Sequence, residues 1–156
     1  MVARVRSASI AFALATVSTP AGLHAQAYQC ALPDVVRVPD VARDGEVRRS
    51  PITGYTLALS WSPEFCRFRE EDRTQARQCS GRAGRFGFTV HGLWPDSGRG
   101  WPQWCAPSEP PAAALQPNLC ISPDMRLLVR QWAKHGSCMV RKPRTYYRVT
   151  RILYAG

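Results

Sequence analysis

Phe86-Gly87-Phe88-Thr89-Val90-His91-Gly92-Leu93-Trp94-Pro95-Asp96 begins with apolar residues at every second position. That is the period of a strand, with Phe86, Phe88 and Val90 on one face and Gly87, Thr89 and His91 on the other. The alternation predicts that His91 faces away from the apolar layer, and Gly92 and Pro95 end the strand. A second alternating run, Tyr55-Thr56-Leu57-Ala58-Leu59-Ser60-Trp61, predicts a half-buried strand with Tyr55, Leu57, Leu59 and Trp61 turned toward the core, stopped by Pro63. A helix is expected from about Pro123 to His135, with Ser122 as hydroxyl N-cap, proline at the first helical position, Asp124 in the first turn and Gly136 at the C′ position. Along it Leu128, Trp132 and His135 recur at helical spacing, while Gln131, Lys134 and His135 gather on one side. Tyr146 to Tyr154 is apolar enough for a further core helix or strand.

The remaining segments are expected to be irregular. Ala31 to Pro51 is polar, charged and broken by prolines, an extended arm to which no chemistry attaches. Arg67 to Arg85 is crowded with charge and glycine, a solvated loop closed by a local bridge between Cys66 and Cys79. Ser97 to Asn118, with five prolines, should be a long rigid loop carrying exposed or half-exposed Trp101 and Trp104.

The chain has 156 residues, the size of one domain, and its 45% apolar content is that of a globular protein. Its first 27 residues have the form of an export signal: Arg4 and Arg6, a short apolar run from Ala8 to Val17, and a small-x-small site at Ala25-Gln26-Ala27. A buried N-terminal helix is the competing reading, but no acidic residue precedes Asp34 and the flanks suit a signal. The run falls short of the roughly 20 apolar residues that span a membrane. Cleavage after Ala27 would leave residues 28–156 as the mature domain and lower the net charge from +10 by the two arginines removed. A small, strongly basic exported protein favours a polyanionic partner, although a merely soluble basic protein has the same balance. All its basic residues except Lys134 and Lys142 are arginine, whose planar fork suits bidentate phosphate contact.

With His24 in the signal, His91 and His135 are the two histidines left. Histidine, with an ordinary pKa of about 6.5, is the side chain that gives or takes a proton near neutrality, so two in one pocket could serve as acid and base. Six cysteines (Cys30, Cys66, Cys79, Cys105, Cys120 and Cys138) in an exported chain point to three disulfides rather than a metal site, since none has C-x-x-C spacing. Fifteen connectivities are open, and spacing does not choose among them.

His91-Gly92-Leu93-Trp94-Pro95, followed by Trp132-Ala133-Lys134-His135-Gly136-Ser137-Cys138, resembles the paired active-site signatures of the ribonuclease T2 family. Leu57 to Cys66 adds a third resemblance, to the strand and cysteine that precede the first signature in bacterial members, and the three occur in the family's order. The resemblance implies an α+β fold, an antiparallel sheet packed with helices in one disulfide-stapled domain. It also implies a metal-independent endoribonuclease, without cofactor, that cleaves single-stranded RNA through a 2′,3′-cyclic phosphate to 3′-phosphate ends. By the same resemblance His135 takes the 2′-OH proton, His91 protonates the leaving 5′-oxygen, and Lys134 stabilises the charge on the phosphorane. Trp94 and Asp96 match positions that stack on and hydrogen-bond the base, although spacing alone would make Trp94 a core aromatic. Trp101 is either a further base contact or a cover over the core. Cys105 pairs with Cys138 in the family; with Cys66 and Cys79 bridged locally, Cys30 and Cys120 form the third pair.

Two departures from the family pattern bear on the site. Catalytic members usually carry glutamate where this chain has Gln131, and many have histidine where it has Arg130. Glutamine keeps the size and one acceptor but loses the charge, and Arg130 can still contact a phosphate. Members also usually continue beyond the second signature, so Gly156 is expected to fall short of the family's C-terminal elements. Three functions are therefore set apart. They are an exported ribonuclease, secreted or periplasmic and monomeric; a module that binds RNA without cleaving it; and a disulfide-stapled interaction protein, for which no specific feature speaks.

Overall fold

The structure is a computed structural model and describes residues 30–156; the expected signal peptide, with Arg4, Arg6 and His24, lies outside the described residues. Two strands, β1 (Gly54–Trp61) and β2 (Phe88–Asp96), pair antiparallel with Gly54 opposite Asp96 and Trp61 opposite Phe88. The register slips once. Ala58 faces Gly92 and Leu59 faces Val90, which leaves His91 as the extra residue of a β-bulge. A bulge sets two residues against one, so the simple alternation breaks there and the side chain is re-aimed. On the regular part of the strand before it, Thr89 and Val90 are both buried, so both faces are covered there, while Phe88, expected beside Val90 in the core, is exposed.

The strand β1 also departs from expectation. Leu57 packs against the core, but Tyr55, Leu59 and Trp61 are exposed. The core is built on β2 and takes Leu57 from β1; at the far end of the sheet the Trp61 and Phe88 rings lie tilted at 50° to each other, centroids 4.8 Å apart. The short helices α1 (Ser62–Cys66) and α2 (Ala76–Cys79) follow β1 and are joined by the Cys66–Cys79 disulfide. Part of the expected proline-rich loop is helical, as α3 (Ala112–Leu115) and a 3-10 turn (Gln116–Asn118).

The helix expected from Pro123 begins two residues later, as α4 (Met125–Gln131). Its cap is Asp124 rather than Ser122: Asp124 is extended, and its carboxylate accepts from the Leu127 backbone N–H at 3.1 Å. Ser122 is buried instead. At the other end the chain does not stop at Gly136. It passes through a π-helical turn (Trp132–Gly136) into α5 (Ser137–Met139), and Gly136 keeps right-handed angles, φ −60° and ψ −35°. Glycine is required there for room, because a Cβ would lie 2.7 Å from both the Trp132 and Tyr146 rings. Of the two forms open to the last segment the chain takes the helix, α6 (Pro143–Ala155), with Pro143 in its first turn.

Helices α4 and α6 pack on β2, and α3 packs on both of them, around Leu93, Leu115, Leu119, Leu128, Trp132, Tyr146 and Tyr147. Both buried tyrosines spend their hydroxyls on backbone. Tyr146 Oη donates to the Leu93 carbonyl and accepts from its N–H, each at 3.2 Å, and Tyr147 Oη donates to the Leu128 carbonyl at 3.0 Å. Burial pushes both phenols well above the usual tyrosine range, so they stay neutral. The sheet is thus bolted to α6 and α6 to α4, which fixes β2 relative to the π-helical turn. The fold is α+β, an antiparallel sheet packed with helices and closed by the disulfides Cys30–Cys120, Cys66–Cys79 and Cys105–Cys138.

The arm is more than an irregular leader. Val36, Val38 and Val41 pack against the core, Gln116 Nε2 donates to the Pro33 carbonyl at 2.7 Å, and Arg48 pairs backbone to backbone with Gln103. Cys30 anchors its start to Cys120.

Candidate active site

The bulge on β2 and the π-helical turn after α4 bring the two histidines to one indole. His91 is half-buried, with Nδ1 3.5 Å from Ser60 Oγ on β1. Its ring meets Trp94 edge-on at 5.6 Å between centroids, and the His135 ring lies 5.7 Å from the same indole. Trp94 itself is held by Gln131, whose Oε1 accepts from the indole Nε1 at 2.7 Å. Gly92 makes that contact possible, because a Cβ at this position would overlap the Gln131 amide. A π-helical turn is a frequent device for aiming side chains at functional sites, and this one presents Lys134 and His135 together.

The turn is braced from outside. The Lys134 carbonyl accepts from the Trp104 backbone N–H at 2.8 Å, and the neighbouring Cys105 is bonded to Cys138. Trp104 is almost fully buried, against the expectation of an exposed loop aromatic, and adopts a positive φ of 56°. The disulfide and that hydrogen bond together outweigh the backbone cost of such a conformation. Trp101 stays half-exposed, with Arg48 over its ring at 5.2 Å.

A cleft of about 450 Å³ opens beside these residues, lined by Thr56, Trp94, Asp96, Trp101, Lys134 and His135, among others. Four of the residues singled out from the sequence (Trp94, Asp96, Lys134 and His135) therefore share one cleft. His91 and Gln131 do not line it; they border a separate narrow recess with Gly92, Leu128 and Tyr146. Arg130 lies apart from both, donating to a carboxylate oxygen of Asp44, whose other oxygen is 3.4 Å from Lys134 Nζ. Asp96 is exposed and accepts from the Gly98 N–H at 2.7 Å, which leaves its second oxygen available.

Burial and nearby cations act on both imidazoles in the same direction. His135 is pushed down to about 4, first by burial, then by the charges of Lys134, Arg130 and His91, with Asp44 opposing. His91 is lowered below its usual value, mainly by burial and then by Arg130. His135 Nδ1 is buried and has no hydrogen-bond partner among the described residues. Buried beside fixed cations, the His135 imidazole stays neutral over most of the pH range, and an anion bound there would raise both pKa values again. Among the described residues no three His, Cys, Asp or Glu side chains gather as a metal would require, and no helix is long and apolar enough to cross a membrane.

Sequence reasoning missed Asp44, Ser60 and Trp104. Asp44 lies 86 residues from Arg130 and 90 from Lys134 along the chain, so no local signal marks it. The Val36, Val38 and Val41 spacing is the one hint that the arm packs at all.

In this α+β fold an indole, an imidazole and a lysine line one cleft while the second imidazole rests against the same indole, and comparison with known proteins gives the family. The family model described as the Ribonuclease T2 family matches residues 53–155, and the chain belongs to that family. It is similar to a protein described as "Probable ribonuclease" from Haemophilus influenzae, 36% identical over 116 residues covering 66% of this chain and 42% of that protein. It is also similar to one described as "Ribonuclease" from Aeromonas hydrophila, 40% identical over 84 residues covering 54% of this chain and 36% of that protein. The chain thus spans about two fifths of the length of these curated relatives. Among solved structures, an RNase-related protein from Calystegia sepium superposes with a TM-score of 0.51 at 28% identity, covering 64% of this chain and 57% of that one.

Proposed function

We propose that the protein is an exported endoribonuclease that cleaves single-stranded RNA without a metal or cofactor, by transferring the phosphate to the adjacent 2′-OH. The observation that carries this reading is the placement of His91 and His135 against the same indole, Trp94, at 5.6 and 5.7 Å, with Lys134 on the same turn as His135. His135, buried and neutral, takes the 2′-OH proton; the 2′-oxygen attacks phosphorus as the bond to the 5′-oxygen breaks; His91 in its charged form protonates that leaving oxygen. The products are a 2′,3′-cyclic phosphate and a free 5′-OH. Water then opens the cyclic phosphate to a 3′-phosphate with the two roles exchanged. Lys134 neutralises charge on the phosphorane, and Arg130 contacts the phosphate. Trp94 offers a π-face to the base beside the cleaved bond, a sequence-tolerant contact, and Asp96 bonds its edge. Residues 1–27 act as the export signal and 28–156 as the working domain, a monomer in the periplasm or outside the cell.

The mature protein incubated with single-stranded RNA in EDTA should yield cyclic-phosphate ends and then 3′-phosphates. Binding without products would select the RNA-holding module instead, the reading that Gln131 favours; neither binding nor products would leave a disulfide-stapled interaction protein.

Gln131 has a specific expectation attached. A glutamate there would keep the acceptor for Trp94 Nε1 and add a negative charge near Arg130, Lys134 and both histidines, raising the charged fraction of His91. Gln131→Glu should therefore increase kcat, by roughly three- to tenfold on the scale of one nearby charge. An unchanged kcat would remove Gln131 from any role in tuning the site.

A further inference from the structure

We propose that Asp44 is a built-in occupant of the phosphate site, a carboxylate that holds the two cations an RNA phosphate needs, so that substrate binds by displacing it. This rests on the proposed reading in which Lys134 and Arg130 receive the phosphate. Each oxygen of Asp44 is committed to a different cation, one to Arg130 and one to Lys134 at 3.4 Å. Carboxylate and phosphate are recognised by the same guanidinium and ammonium geometry, so the two anions compete directly for these donors. The contact with Arg130 holds the Asp44 carboxyl below the usual carboxylate range, so it is charged throughout the working pH range.

The arm delivers this carboxylate from a fixed position. On one side of Asp44, Arg126 donates to the Asp40 carbonyl at 3.4 Å. On the other, Gln103 Nε2 donates to the Glu46 carbonyl at 2.9 Å and Arg48 pairs with Gln103. At Gly45 the backbone runs so close to Gln103 that a Cβ would lie 3.1 Å from its Nε2. The carboxylate itself is about 39% exposed, so it can swing into solvent while the backbone stays in place. A phosphodiester carries the same single charge as the carboxylate it replaces. The exchange is therefore close to balanced, and it weakens substrate binding without forbidding it. It also keeps Arg130 and Lys134, four residues apart on one edge, from facing each other uncompensated when no substrate is present.

The alternative role for Asp44 is to position Lys134 for catalysis, and the two roles predict opposite results. The test compares the mature wild-type protein with Asp44→Asn and with Asp40→Asn, which removes the same charge from the same arm away from the cations. Inorganic phosphate is titrated by calorimetry, and KM and kcat are measured on a single-stranded RNA. Asp44→Asn should bind phosphate about fivefold tighter, the scale of a partly exposed ion pair, and lower KM by a similar factor. Asp40→Asn should stay close to wild type. Unchanged or weaker phosphate binding in Asp44→Asn, an equal gain in Asp40→Asn, or a fall in kcat at constant KM would each overturn the proposal. If Asp44→Asn does not fold, Asp44→Ser takes its place under the same criteria. Absence of RNA cleavage by every protein would sink the proposed function, while the phosphate titration would still decide the role of Asp44.

Discussion

Replacing either His91 or His135 with alanine is expected to lower kcat on single-stranded RNA by about 10²- to 10⁴-fold, the contribution of a positioned proton donor or acceptor. The fold should survive both changes. The hydrogen-bond contact shown for the His91 ring is Ser60 Oγ at 3.5 Å, and among the described residues His135 Nδ1 has no partner to lose. The sign of the pH dependence follows from the two roles. His135 must be neutral to accept a proton, and its pKa of about 4 means that kcat/KM rises as pH climbs through that value. His91 must be charged to donate one, and its pKa lies below the ordinary 6.5, so kcat/KM falls again as pH climbs through that lowered value. The free enzyme should therefore show a bell with an acidic optimum, between about 4 and 6.5. Measurement of kcat/KM against pH, with near-normal circular dichroism in both variants, checks this. An optimum above neutrality would mean that the two groups which set the limbs of the bell are not imidazoles with lowered pKa values, and cleavage that persists in both alanine variants would remove the mechanism.

Replacing Cys30 and Cys120 together by serine should cost the most stability of the three disulfides. The bond closes a sequence separation of 90 residues, against 13 for Cys66–Cys79 and 33 for Cys105–Cys138. Chain entropy then assigns it about 4.5 kcal/mol, with about 3 and about 4 for the other two. A thermal unfolding midpoint lower by on the order of 10 °C or more is expected. The loss should be larger than that for the Cys66/Cys79 pair, and an equal or smaller one would mean that the arm is held by its valines and backbone contacts alone. The Cys105/Cys138 pair has a different signature. Its bond braces the turn that carries Lys134 and His135, so its removal should cut kcat more than its loss of stability explains.

Much of the framework was legible residue by residue. Period-2 alternation marks β1 and the first half of β2, and proline and acid at 123 and 124 place a helix start to within two residues. Those signals are local, set by backbone sterics and by which face of one element meets water. The errors lie where a distant partner intervenes. Ser122 and Asp124 are both sound caps by composition, and the packing that buries Ser122 leaves the role to Asp124. Gly136 looks like a left-handed helix end, but its lack of a Cβ is used to admit Trp132 and Tyr146. Tyr55, Leu59 and Trp61 alternate like core residues, yet they are exposed, because the core takes only Leu57 from this strand.

By itself the sequence determined the chemistry: two signatures holding His91, Trp94, Lys134 and His135, the family they belong to, and six cysteines to tie the chain. The tertiary structure alone decided how those groups are aimed. The slip of β1 against β2 turns His91 at a bulge, Gln131 fixes the indole that both imidazoles meet, and Asp44 reaches Arg130 and Lys134 from 86 and 90 residues away. Each of these is a contact between residues tens of positions apart. Such contacts depend on register and packing, which are properties of the assembled core and not of any one segment.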